Sequence, residues 1–160
     1  LIAAGVDAAT ITLKWPNDVL VGGRKVAGIL LEQEMAKGTD VPAFMLVGTG
    51  INIAHAPDGA VAINDVLASP VGVDEFRDAF LSALSGRYEI WGKDGFAPLR
   101  DDWLSHAHGV GGPVTARMAE KSLSGTFEGV DENGTLVMRD DHGEIRHISG
   151  AAIHFGGANS

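Results

Sequence analysis

At 160 residues, 45% hydrophobic and 21% charged, the chain has the composition of an ordinary globular protein, large enough for one sizeable domain or a moderate domain with a small companion. A net charge of −9, from 12 basic and 21 acidic residues, argues against a broad phosphate-backbone footprint, and so against nucleic acid as a partner, but leaves room for a small anionic ligand held by a few lysines. The absence of cysteine excludes disulfides, zinc–thiolate sites and thiol catalysis and fits a cytoplasmic protein; no apolar run reaches the roughly 18 residues of a membrane span, and no signal-peptide pattern is present.

Leu1 to Ala4 reads as the end of a helix, with Gly5 where a left-handed C-terminal residue is usual. Ile11 to Trp15 reads as a short strand, stopped by Pro16. Asp18 to Val21 and Lys25 to Glu34 are predicted strands joined at the Gly22-Gly23 turn, the second buried on both faces for much of its length. Met35 to Val41, with Lys37-Gly38-Thr39-Asp40, is a polar hairpin loop, and Ala43 to Ile53 is the returning strand. Ala54 to Asn64 carries turn residues, and Val66 to Ser69 is read as one helical turn.

Asp74 to Trp91 is the clearest helix, with Asp74 as N-cap and Phe76, Phe80, Leu84, Tyr88 and Trp91 as a core-facing row. Phe96 to Ser105 is a second helix with Pro98 in its first turn and Trp103-Leu104 pointing inward. Gly109 to Pro113 reads as a linker. Five short strands follow, at 114–118, 122–130, 135–139, 144–148 and 151–155, turning at Asn133-Gly134 and His142-Gly143, and suggest a small SH3-like barrel. The expected class is α+β, with domains at 1–110 and 111–160.

The residues that carry chemistry concentrate early. Lys14, Asn17, Asp18, Arg24 and Lys25 gather around two strands and a hairpin, where a fold has no need of them. Lysine is a point charge suited to a carboxylate or phosphate oxygen, and an Asn-Asp pair can orient it or hold Mg²⁺. Gly28 and Gly50 let a flat polar ligand approach the backbone, and the Asn52 amide can read a donor–acceptor edge such as that of adenine. Together these parts suit adenylation of a carboxylate by electrostatic stabilisation, with no covalent nucleophile on the protein.

Three blocks, Lys14-Trp15-Pro16-Asn17-Asp18, Arg24-Lys25-Val26-Ala27-Gly28-Ile29-Leu30-Leu31-Glu32 and Gly48-Thr49-Gly50-Ile51-Asn52-Ile53, closely resemble the signature of biotin protein ligases in order and spacing. The resemblance implies a mixed sheet packed with helices, a core like that of class II aminoacyl-tRNA synthetases, followed by the SH3-like barrel. It implies an enzyme that joins biotin to ATP with Mg²⁺, giving biotinyl-5′-AMP and pyrophosphate, and passes biotin to a lysine of a biotin carboxyl carrier protein, as in acetyl-CoA carboxylase. On this resemblance Lys25 binds the biotin carboxylate and the α-phosphate, and Asp18 assists the incoming lysine. Trp15, Gly28 and Gly50 line the biotin side, Lys14, Asn17 and Asn52 serve the nucleotide, and Asn17 with Asp18 meets Mg²⁺.

The family's Gly/Arg-rich loop, G-R-G-R-x-G-R, has no counterpart here, and only thirteen residues precede Lys14, so the chain is read as a fragment with the N-terminal half of the core missing. An exposed sheet edge and apolar surface are then expected, and with them association, a homodimer being one form. Two alternatives stand beside the ligase: a truncated, non-catalytic nucleotide- or biotin-binding module, and a related lipoate-type acyl ligase, against which the Lys-Trp-Pro-Asn-Asp block argues. His106 and His108, at i, i+2 spacing, lack further ligands at a recognisable metal spacing, and Ser105 beside His106 lacks the elbow of a nucleophilic serine.

Overall fold

The computed structural model describes residues 1–38, 42–118, 122–149 and 152–156. Thr39, Asp40 and Val41 of the expected loop, and Ala151 of the last expected strand, lie outside the described residues. Contacts divide the chain into two compact units: residues 1–12 with 17–80, and residues 13–16 with 81–160.

A four-stranded sheet has the order β1-β2-β3-β4, with β1 at Ile11–Lys14, β2 at Asp18–Val21, β3 at Arg24–Met35 and β4 at Pro42–Ile51; β2, β3, β4 and the first two residues of β1 belong to the first unit. A 3₁₀ turn at Ile2–Ala4 ends on Gly5 with φ 97°, the left-handed stop expected from the sequence. Gly22 and Gly23, at φ 56° and 77°, make the tight corner between β2 and β3 because both central positions of such a turn need positive φ. The β2–β3 and β3–β4 ladders are antiparallel, and a bulge at Val19/Leu20 shifts the β2–β3 register. Val6, Ile11, Val21, Val26, Val61, Ile63 and Phe76 form the core of this unit.

Burial overturns one strand expectation. Of β3, only Val26 is buried, while Leu30 and Leu31 are 60% and 58% exposed. Adjacent strand residues point to opposite faces, so both faces of the β3–β4 ribbon are open beyond Gly28. The branched apolar run was legible; what packs against it was not. The segment from 54 to 64 also departs from a simple turn region: Val61, Ala62 and Ile63 are fully buried, and a 3₁₀ turn falls at Ile63–Asp65 instead of at 66–69.

Helix α1 runs from Val73 to Asp94. It starts one residue before Asp74, which therefore lies in the first turn rather than at the N-cap, where its charge still favours the helix dipole. Its aromatic row is not a core stripe: Phe76 is buried, but Leu84, Tyr88 and Trp91 are exposed. Tyr88 and Trp91 instead pair edge to face at 5.8 Å.

In the second unit, α2 spans Ala97–Ser105, and five strands form a sheet in the order β8-β7-β6-β5-β9: β5 Pro113–Arg117, β6 Ser122–Val130, β7 Leu136–Asp140, β8 Ile145–Ile148 and β9 Ala152–Phe155. Every neighbouring pair is antiparallel. Val114, Ala116, Phe127, Leu136, Met138 and Ile148 are its buried core, with alternate residues outward as the period of two requires. Full burial of each larger side chain contributes about 1.5–3 kcal/mol. Helix α2 belongs with this barrel. The Arg100 Nε–H donates to the Val130 carbonyl at 2.8 Å, and Trp103 packs on the barrel core.

Each of two barrel corners closes on an aspartate, a detail hidden in the sequence behind its Gly residues. Asp131 Oδ1 accepts the backbone N–H groups of Asn133 and Thr135, and Asp140 Oδ1 accepts those of His142 and Glu144. The other oxygen of each carboxylate meets a basic side chain: His147 at 2.8 Å from Asp131, and Arg146 at 2.8 Å from Asp140.

Candidate active site

Register places Asp18, Gly28 and Gly50 in one row across β2, β3 and β4, since Asp18 pairs with Gly28 and Gly28 with Gly50. Paired residues present the same face. Two adjacent positions in this row thus carry no side chain, leaving a strip of bare backbone flanked by the Asp18 carboxylate. The bulge in β2–β3 brings the Lys25 ammonium to the same strip, 2.5 Å from Asp18 Oδ1. A β-carbon built on Gly28 would lie 3.2 Å from Lys25 Nζ and 3.5 Å from Asp18 Oδ1, while one on Gly50 would meet nothing within 4 Å. Lys25 and Gly28 are thus neighbours in space, with the ammonium beside open backbone.

Neighbouring amides fix this geometry. The Asn17 side-chain N–H donates to the Ile29 carbonyl at 2.7 Å, and the Ile29 N–H returns a bond to the Asn17 carbonyl at 2.9 Å, clamping the entry to β2 against β3. The Asn52 amide donates to the carbonyls of Lys25 and Val61, each at 3.4 Å, and the Val61 N–H donates to the Lys25 carbonyl at 3.0 Å. Asn52, expected on the nucleotide, therefore also sits directly behind Lys25. The buried Val61–Ile63 stretch forms a floor that sequence reasoning missed; its signal was the short apolar run Ala60-Val61-Ala62-Ile63 amid turn residues.

Lys14 and Trp15 belong to the second unit. Lys14 Nζ stands 5.9 Å above the Phe155 ring, within cation–π range. Trp15, expected to line a ligand pocket, packs against the barrel core, and its indole N–H donates to the Gly134 carbonyl at 3.0 Å. Burying an indole favours satisfying that N–H, and the barrel corner supplies the acceptor.

The described residues hold no cluster of three or more His, Asp or Glu side chains placed to bind a metal ion. Asp18 is a single carboxylate beside Asn17. That donor set suits a magnesium ion held mainly by substrate phosphates, which is how this cation usually binds at nucleotide sites. His106 Nδ1 lies 2.9 Å from Ser105 Oγ and 3.0 Å from the Asp102 carbonyl, a local helix-end arrangement.

Residues 3–52 match the model of the biotin/lipoate A/B protein ligase family, and residues 110–156 match that of the biotin protein ligase C-terminal domain. A biotin–[acetyl-CoA-carboxylase] ligase of Paracoccus denitrificans is 40% identical over 94% of this chain and 65% of its own length. The bifunctional ligase/repressor BirA of Bacillus subtilis (strain 168) is 29% identical over 96% of this chain and 48% of its own. The chain therefore spans between about half and two thirds of these relatives. The fold matches the biotin protein ligase of Aquifex aeolicus with a TM-score of 0.76 over 91% of this chain and 65% of that one, at 24% identity. The same Aquifex protein is also known in complex with biotin and ATP. Both matched regions and these relatives make the chain similar to biotin protein ligases.

Proposed function

We propose that this chain supplies the Lys25 part of the site of an ATP-dependent biotin–protein ligase. The observation that carries this reading is the row Asp18–Gly28–Gly50 with the Lys25 ammonium beside it. The backbone strip admits a flat ureido ring, and the ammonium meets the carboxylate at the far end of such a ligand. A biotin carboxylate oxygen attacks the α-phosphorus of ATP, the bond to the β-phosphate bridge breaks, and pyrophosphate leaves. The ε-amine of a carrier-protein lysine then attacks the acyl carbon, AMP leaves, and the amine gives up a proton.

Lys25 donates to the carboxylate and to a non-bridging α-phosphate oxygen, offsetting charge as the two anions approach. A donor of this kind is worth about 10²–10³ in rate. Asp18 aims the ammonium in the first step and accepts the amine's proton in the second. Asn17 and Asn52 serve the nucleotide, and Lys14 joins them on the strength of the family resemblance. Asn17 and Asp18 would hold a magnesium ion carried by the phosphates, which would supply further charge neutralisation.

A biotin carboxyl carrier protein is the macromolecular partner, and the cytoplasm is the place of action. No described helix is long and apolar enough to cross a membrane. The family model also spans lipoate ligases, so the acyl group needs its own control. Isothermal titration of biotinyl-5′-AMP, biotin and lipoate into this chain and into Lys25→Ala tests the reading. Strong binding of biotinyl-5′-AMP that is lost in the variant, with biotin bound more tightly than lipoate, supports it; equal binding of the adenylate by both proteins overturns it.

A further inference from the structure

Lys25 and Gly28 stand three positions apart in β3, an odd spacing that puts two residues on opposite faces of a regular strand. In this sheet they share a face. On β2, Asp18 and Leu20 are two positions apart and so face the same way; Asp18 pairs with Gly28 and Leu20 with Lys25. The register steps from Val19 opposite Ala27 to Leu20 opposite Lys25, which leaves Val26 as an extra residue of β3 without a partner on β2. A bulge of this kind re-aims the side chain beside it, and here that side chain carries the Lys25 ammonium to Asp18.

An extra residue also leaves backbone groups that the β2 ladder does not take up, and the stretch following β4 takes them. Neighbouring carbonyls of a regular strand point to opposite edges, yet those of Lys25 and Val26 both reach this stretch. The Val26 carbonyl accepts the Asn52 N–H at 2.9 Å, and the Lys25 carbonyl accepts the Val61 N–H at 3.0 Å. The Asn52 side-chain amide donates to the carbonyls of Lys25 and Val61, each at 3.4 Å, and so bridges the two segments. The Asn52 carbonyl accepts the Ile63 N–H at 2.8 Å, so the backbone that carries this amide is held on both sides. Resting on the ligand-site reading above, we infer that Asn52 is a positioning residue for the reaction: by holding the carbonyls of Lys25 and Val26 it maintains the bulge that turns the Lys25 ammonium onto the face of Gly28. This role is distinct from a contact with the nucleotide. All the residues in it, from Asp18 to Ile63, belong to the first unit.

The test combines nuclear Overhauser measurements on the ¹³C,¹⁵N-labelled chain with titration of biotinyl-5′-AMP. A β-carbon on Gly28 would lie 3.3 Å from Lys25 Cε, so an Overhauser effect between the Lys25 ε-protons and the Gly28 α-protons is expected in the parent, and its absence there overturns the shared face. Asn52→Ala is expected to lose this effect and to bind the adenylate about tenfold more weakly, the worth of one hydrogen bond at the upper end of its range. A general loosening of the fold would lower the melting temperature but leave the Overhauser effect in the molecules that stay folded. Asn52→Ser keeps one donor and is expected to restore both readouts in part. A full Overhauser effect in folded Asn52→Ala overturns the inference even where affinity falls, because the amide then acts on the nucleotide alone. So does loss of the effect with unaltered affinity. Should Asn52→Ala not fold, Asn52→Ser decides, and parent values for both of its readouts overturn the inference. If the parent chain and Lys25→Ala bind the adenylate equally, the site reading itself fails and takes this role with it, whatever the Overhauser effect shows.

Discussion

Replacing Gly28 with alanine adds one methyl group to the strip between Asp18 and Gly50. The new carbon would stand 3.2 Å from Lys25 Nζ, 3.3 Å from its Cε and 3.5 Å from Asp18 Oδ1. Carbon atoms settle at about 3.5–4.0 Å from such neighbours, so the overlap is a few tenths of an ångström and falls on the mobile end of a lysine. The Lys25 side chain is 51% exposed and can swing toward water. A surface ion pair of this kind is worth about 0–1 kcal/mol, and loss of glycine's freedom in the unfolded chain returns about 0.4–1 kcal/mol. Net stability is therefore expected to change by less than about 1 kcal/mol. Ligand binding has no such compensation. The methyl occupies the surface a flat ligand needs and turns the ammonium away, forfeiting a charge-assisted hydrogen bond worth about 1.5–3 kcal/mol, or roughly 10- to 150-fold in affinity. Thermal melts beside calorimetric titration of biotinyl-5′-AMP measure the two effects separately. Unchanged affinity in a folded Gly28→Ala chain would refute the placement of the ligand on this row, and a large fall in stability would refute the claim that the glycine serves the ligand rather than the fold.

Gly125→Ala should behave in the opposite way. Its β-carbon would overlap the Arg139 carbonyl oxygen, with the carbonyl carbon only 2.9 Å away, and a backbone in a ladder cannot swing aside as a lysine can. A loss of about 3 kcal/mol is expected, the upper part of the range for overpacking; a melt matching the parent would sink this view of the β6–β7 approach. The barrel should also soften in acid. The ionised Arg146, with the N–H groups of Glu144 and His142, holds the Asp140 carboxyl below the usual aspartate range. At Asp131, burial pushes upward but is outweighed by His147 and the N–H groups of Asn133 and Thr135. Both folded values are depressed, so their stabilisation is complete above the ordinary aspartate value near about 4 and is lost as pH falls through the lowered values. Melting followed between pH 6 and pH 2 should show this loss, smaller in Asp140→Asn than in the parent; equal acid sensitivity in the two would remove Asp140 from the account.

The strands of the barrel were legible because alternation and turn chemistry are local: apolar residues every second position, interrupted by Asn133-Gly134 and His142-Gly143, leave few alternatives. The three blocks stood out for a related reason, since lysine, asparagine and paired glycines are unusual within apolar strands, although the hydrogen bonds that Asn17 and Asn52 make to the sheet backbone were not legible. The exposed β3–β4 ribbon and the open side of α1 were not, because hydrophobicity states what a residue tolerates and burial depends on what lies opposite. Leu30, Leu31, Tyr88 and Trp91 read as core residues and are exposed in the described structure.

The sequence alone thus determined the resemblance to biotin protein ligases, the strand segments and turns of each half and the identity of the charged cluster, all of which are carried by residue types a few positions apart. The tertiary structure decided how those charges are used. A one-residue bulge in β2–β3 brings Lys25 to Asp18 across the hairpin, and register aligns Gly28 with Gly50. Trp15 goes to a barrel carbonyl 119 positions away. Such pairings arise from ladder register and long-range hydrogen bonds, and residue type and local periodicity do not specify them.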